Sequence, residues 1–366
     1  MGAIGRILLI IVVVVVIAAG AGYFFLPNTA SRTESFTVER PPASVFARLA
    51  STPPGTQIAE GVTQNAIVSA ENNVVVAEVA YADGSTGLAT YTVSSEGDGS
   101  RVQLRLEEEL GANPLDRVQA ITGGEVGPLA TAAASTVTAD LSSLPAASFV
   151  GLPYEVVQIE ARPFFYIQNC SPTDAEAIQD VVAQSLLALR PIMQRHRLQE
   201  SGDPIAVEPR VENDQYCYQI GLPYTGTPPR VLAVGAAGQT PAGTALRMTY
   251  TGAEENVVPE IYDRMDALLA AARLDDPGTQ ADDWTTFEVY HDDPTQAGGS
   301  RSREIFYVVQ GDVSRLTAIA PPSAVAPLDA AQPAAADPAA APAAAGEQPA
   351  APAAEAPAQQ QPAPTP

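Results

Sequence analysis

The chain has 366 residues, enough for two folded domains with appendages. Its 19 basic and 42 acidic residues leave a formal charge of -23, which repels phosphate backbones and excludes nucleic acid as a partner. Two cysteines, neither in a C-x-x-C nor a Cys/His spacing, exclude a disulfide-scaffolded miniprotein and a zinc finger.

From Ile7 to Leu26 every residue is uncharged, and a helix of that run is about 30 Å long, the thickness of a hydrocarbon core. This predicts a membrane span over residues 7–26 within an anchor at 1–29. Arg6 and the terminal amine put the N-terminus in the cytoplasm, so the rest of a bacterial envelope protein would lie on the periplasmic side of the inner membrane. The competing reading is a cleaved signal peptide ending near Ala19-Gly20-Ala21; Tyr23-Phe24-Phe25-Leu26 prolongs the run and favours the anchor.

Ser35 to Glu39 alternates as a strand, and Pro42 to Phe46 starts a short helix with one apolar face. Strands follow around Ala66-Ile67-Val68, Val74 to Val79, Leu88 to Val93 and Arg101 to Glu108, separated by turns such as Asp83-Gly84 and Gly97-Asp98-Gly99. A helix from Val126 to Leu144 closes the segment before a break at Leu144 to Ser148. Phe36-Thr37-Val38 followed by Pro42 to Phe46, in this order of elements, resembles the START-like helix-grip fold of the polyketide cyclase (SRPBCC) superfamily over 30–147. Ser51-Thr52-Pro53-Pro54-Gly55 stands where that family has an aromatic-rich segment, so an open ligand cavity and a closed packing module are both open readings.

Residues 150–316 carry one order of elements twice. Strand Glu155 to Gln168, helix Ala175 to Leu198 and strands around Ala206-Val207-Glu208 and Tyr216 to Ile220 are echoed by strand Ala245 to Thr251, helix Val257 to Leu274 and strands Thr286 to Tyr290 and Ile305 to Val309. Two strand-helix-strand-strand units pair to form a cleft at their pseudo-twofold axis. Phe287-Glu288-Val289-Tyr290, Asp293-Pro294 and Arg303-Glu304-Ile305 resemble the GyrI-like small-molecule-binding domain, also found as the effector-binding half of AraC- and MerR-type regulators. Arg303 replaces the threonine usual before the closing Glu-Ile, and Gly252-Ala253 stands for a Gly-x-Tyr. The fold class is thus α+β.

Residues two apart in a strand share a face, which pairs Glu288 with Tyr290 and Glu304 with Phe306. A carboxylate between aromatic walls attracts an ammonium or a delocalised aromatic cation. The resemblance places Glu288 in the pocket, with Glu304 as a second acid and Tyr218, Tyr250 and Trp284 as wall residues; a solvent-facing Glu288 on an edge strand is the alternative. His196 reads as a solvated helix end, and His291-Asp292-Asp293 as an incomplete cation site, so no metal or cofactor is expected. Cys170 and Cys217 either bridge within one sheet unit or remain two buried thiols. From Pro321 onward the chain is mostly Ala, Pro and Gln with a few acids and no basic residue, which predicts a disordered tail over 317–366, a spacer able to reach an envelope partner. The expectation is a membrane-anchored envelope protein that binds a small amphiphilic molecule, cationic ones included. A hydrolase using Glu288 and a non-catalytic structural module of the envelope are the alternatives.

Overall fold

The structure is a computed structural model that describes residues 27–111, 117–118, 124–172, 174–212, 215–230, 233–274, 285–296, 301–309, 313–314 and 316. The chain divides into two units, Met1–Asp329 and Ala330–Pro366. The span expected at 7–26, Trp284 and the tail expected at 317–366 lie outside the described residues. No helix among the described residues is long and apolar enough to cross a membrane. On that finding the single-pass inner-membrane localisation is corrected. The longest described helix, Ala175–Arg195, carries Glu176, Asp180, Arg190 and Arg195, and such an amphipathic helix buries one face against protein.

Period-two alternation builds the first sheet. β1 (Thr29–Val38) is followed by α1 (Pro42–Ala50), then β2 (Thr56–Ala59), β3 (Val62–Glu71), β4 (Val74–Tyr81), β5 (Thr86–Glu96), β6 (Gly99–Glu109) and α2 (Val126–Ser142). The six strands pair antiparallel in the order β1-β6-β5-β4-β3-β2. Val75, Ala77 and Val79 of β4, Tyr91 and Val93 of β5, and Val102, Leu104 and Leu106 of β6 face inward. Val126, Ala130, Ala133, Val137 and Leu141 of α2, at helical spacing, cover them. Asn72 and Asn73, both with positive φ, make the tight β3–β4 hairpin whose twist matches the flanking strands.

The second sheet has nine strands and curls into a half-barrel. Its elements are β7 (Glu155–Ile159), β8 (Pro163–Ser171), α3 (Ala175–Arg195), β9 (Gln199–Glu200), β10 (Ile205–Glu212), β11 (Gln215–Thr225), β12 (Ala236–Gln239), β13 (Gly243–Thr251), α4 (Glu254–Val257), a π-helical turn (Val258–Tyr262), α5 (Asp263–Ala271), β14 (Thr285–Tyr290) and β15 (Ser302–Val308). The order β12-β8-β11-β10-β14-β15-β13-β7 is symmetric about the β10–β14 junction, with β9 pairing β11. The single strand expected from Glu155 to Gln168 is two: β7 pairs β13, whereas β8 pairs β11 and β12. Pro163 at the start of β8 restricts the residue before it and lacks an amide donor, which marks the change of partner. The helix expected from Val257 to Leu274 is likewise interrupted, because Pro259 lacks the amide proton of an i→i−4 bond and the backbone widens to a π turn there.

One carboxylate gathers the arginines where the two sheets meet. Asp140 of α2 accepts from Arg48 of α1 at 2.7 Å and from Arg273, just beyond α5, at 2.6 Å, while Arg48 also donates to the Ala270 carbonyl at 2.8 Å. Arg273 takes φ +54 at a helix end that normally favours glycine. Its guanidinium bond to Asp140 offsets that backbone cost. Burial alone would raise the Asp140 carboxyl, but hydrogen bonding and charge from Arg48 and Arg273 outweigh it and hold the group below the usual carboxylate range.

Cys170 of β8 and Cys217 of β11 face each other across the ladder and are joined as a disulfide closing a 47-residue separation. Replacing both by serine is expected to cost about 4 kcal/mol on the chain-entropy scale, read as a lower denaturation midpoint. Asp140→Asn is expected to destabilise by about 2 kcal/mol near neutral pH. A carboxylate with a depressed folded pKa contributes stability that is present above its unfolded value, about 3.9, and lost as pH falls through the folded one. Melting curves of wild type and variant should therefore converge as pH drops below about 4.

Candidate functional site

Alternation along β14 sends Thr286, Glu288 and Tyr290 toward the helices and Phe287, Val289 and His291 to the opposite face. Register with β15 puts Arg303, Ile305 and Tyr307 on the first face and Glu304 and Phe306 on the second, since Glu288 pairs with Ile305 and Phe287 with Phe306. Glu304 is thereby removed from the pocket expected around Glu288. A one-residue offset between neighbouring strands reverses the face, and single-strand patterns do not contain it.

Between the first face, α3 and the α4–α5 segment lies a cavity of about 300 Å³. Tyr216, Tyr218, Tyr262 and Tyr290 supply its aromatic side chains, Ile178, Val257 and Val258 its aliphatic part, and Asp263, Asp266 and Glu288 its carboxylates. The π turn positions Tyr262, whose hydroxyl donates to Glu288 Oε1 at 2.5 Å. Arg303 donates to Glu288 Oε2 at 2.9 Å and lies 5.1 Å from the Tyr290 ring centroid, a cation-π distance. Arg303 is 0% and Glu288 9% exposed, so both charges are taken out of water and compensate each other. Burial first, and the Glu288 charge second, push the Tyr262 phenol well above its ordinary value, which keeps it a donor.

The other expected residues sort by geometry. Tyr290 and Tyr218 line the cavity. Tyr250 does not: its ring packs in the core with Leu246 and Met248, and its hydroxyl donates to the Ala253 carbonyl at 2.7 Å. Gly252 is required there, because a Cβ would come within 2.5 Å of that hydroxyl. Trp284 lies outside the described residues. His196 forms the C-terminal cap of α3. Asp293 accepts from Thr295 and pairs with Arg190, and Asp292 accepts from the Arg301 amide. Among the described residues no group of three or more His, Cys, Asp or Glu is arranged to hold a metal. Each oxygen of Glu288 thus accepts one hydrogen bond, from Tyr262 and from Arg303. Sequence reading missed Tyr262, Asp263 and Asp266; the signal was Pro259, which breaks the helical period just before them.

No protein family and no curated protein matches the chain. Solved structures similar in part include SAV2435 bound to tetraphenylphosphonium, 14% identical over 44% of this chain and 95% of that one, with a TM-score of 0.30. A hydrolase encoded by lin2189 from Listeria innocua is 12% identical over 43% and 92%, TM-score 0.29. EcmrR in a DNA complex is 10% identical over 43% and 57%, TM-score 0.31. Scores at this level do not define a shared fold.

Removing one member of the buried pair strands the other. Arg303→Met is expected to cost about 3 to 5 kcal/mol, and the double variant Arg303→Met/Glu288→Met to recover much of it, measured by denaturant unfolding.

Proposed function

We propose that the chain binds small lipophilic cations in the cavity between β14 and the α4–α5 segment. One observation carries the reading: among the described residues the lining holds four tyrosines and three carboxylates and no basic residue. Ring faces attract a delocalised cation by about 0.5 to 2 kcal/mol each, and a partly dry cleft strengthens its attraction to carboxylates. Arg303 already neutralises Glu288, so discrimination between cation and neutral ligand falls on Asp263 and Asp266 at the exposed rim. Glu288 acts through Tyr262, which it holds against the aromatic wall. The resemblance of the repeated unit to the GyrI-like domain supports the same assignment. The six-stranded half, resembling a START-like domain, is proposed as the scaffold that grips α5.

Tetraphenylphosphonium, the ligand of the SAV2435 structure, is a cation of this type and serves as the probe. Calorimetric titration of the full chain is expected to show saturable binding. Asp263→Asn/Asp266→Asn should weaken it about tenfold, and Tyr218→Ala by a similar factor. Undiminished affinity in both variants would remove the site from this cavity.

A further inference from the structure

Part of the aromatic wall of the cavity comes from one short stretch of β11, Tyr216 and Tyr218, with Cys217 between them on the opposite face. Both flanks of that stretch are weak. Toward β10 the register slips between Val207 and Arg210, so the ladder that pairs Arg210 with Cys217 and Val207 with Gln219 is interrupted beside Tyr218. Toward β8 the pairing ends one residue past the bridge, at Tyr216 and Ser171, and the buried Ser171 hydroxyl has no hydrogen-bond partner among the described residues. The Cys170–Cys217 disulfide therefore crosses the sheet where the hydrogen bonding around the wall gives out.

The bridge is open to attack from one side. β12 pairs with β8 over Pro163–Tyr166 and leaves the outer edge of β8 beyond Tyr166 without a neighbouring strand among the described residues. Cys170 lies on that edge and is exposed, whereas Cys217 is 3% exposed. The Cys170 backbone amide donates to Asn169 Oδ1 at 3.0 Å, and Nδ2 of the same side chain donates to Ser185 Oγ of α3 at 3.2 Å. Asn169 pairs with Tyr218 across the ladder, so it connects the exposed cysteine both to the tyrosine wall and to the helix that carries Ile178.

We infer that the Cys170–Cys217 bridge is a thiol-exchange site for small dithiols, and that its opening lowers the affinity of the cavity. The thiolate of a dithiol attacks Sγ of Cys170, on the exposed side of the bridge, and forms a mixed disulfide there. The bond to Cys217 breaks, and Cys217 leaves as a thiolate that takes a proton from solvent. The second thiol of the reagent then attacks the mixed disulfide, frees Cys170 as a thiol and departs as a cyclic disulfide. Two electrons pass from the dithiol, which is oxidised, to the bridge, which is reduced. Without the cross-link the strand end at Tyr216 frays, and Tyr218, with a bulge on one side, loses its fixed place in the wall. The effect on affinity rests on the proposed binding of a lipophilic cation in that cavity.

Dithiothreitol is the dithiol and tetraphenylphosphonium the cation, both applied to the full chain. Reduction is expected to weaken binding about fivefold and reoxidation to restore it, a smaller effect than the factor of about ten for Tyr218→Ala because the ring is still present. Cys170→Val/Cys217→Val, a cross-strand pair that a sheet favours, should bind like the reduced chain and ignore dithiothreitol. It also supplies the uncrosslinked form if the reduced wild type melts below the assay temperature. Limiting glutathione in place of dithiothreitol stops the exchange at its first step, and peptide mapping should find the adduct on Cys170. Equal affinity with and without the cross-link overturns the inference, as does an adduct on Cys217 or a bridge that opens no faster than the chain unfolds. Hydrogen exchange of the amides of residues 216–218 separates this inference from the binding reading. If tetraphenylphosphonium binds neither form, faster exchange on reduction upholds the thiol-exchange site and its hold on the wall while the ligand reading falls; unchanged exchange overturns both.

Discussion

A guanidinium with no exposure at all has to meet a negative charge, and in the nine-stranded sheet Arg303 meets Glu288. The shape of the cavity follows from that pairing. The carboxylate that satisfies Arg303 has one oxygen left, and the Tyr262 hydroxyl takes it. Tyr262 reaches it because the backbone widens at Pro259, and the same turn brings Asp263 and Asp266 to the rim. All 19 basic residues of the chain are arginine. Its planar, delocalised, weakly hydrated fork suits a buried pairing with carboxylate and a stack on Tyr290 better than a lysine ammonium does.

The far end of the same helix is held by the other half of the molecule. Arg48 donates to the Ala270 carbonyl at 2.8 Å, and Asp140 gathers Arg48 and Arg273 around the end of α5. The segment that covers the cavity is therefore fixed at its start by Tyr262 and at its end by Asp140. Arg264, in the first turn of α5, donates to the carbonyls of Ser148 and Val150 in the connection between the sheets. The rim carboxylates Asp263 and Asp266 and the contacts of the six-stranded half thus fall on one helix, α5.

Much of this was legible in the sequence, and the losses have physical causes. Alternation in Val74 to Val79 and Arg101 to Glu108 announced strands because one face is buried and the other wet. The repeat of strand, helix and two strands announced the symmetric sheet, and Glu288 with Tyr290 announced one wall of the cavity. What failed depends on partners far away in the chain. Glu304 was grouped with Glu288, yet the register of β14 on β15 turns it to the other face. Tyr250 looked like a wall residue, but its hydroxyl is satisfied by Ala253 and its ring by the core. Arg303 was noted as a departure at the position where it proves to neutralise the expected charge partner. A charge's worth is set by its buried neighbours, and no spacing rule contains them.

Tetraphenylphosphonium and tetraphenylborate have nearly the same shape and opposite charge, so their affinities for the full chain compare electrostatic preference with little change in contact area. The account predicts that the cation binds at least about tenfold more tightly at low ionic strength, with the difference shrinking as salt screens the rim carboxylates. Equal affinities, or a preference for the borate, would contradict it.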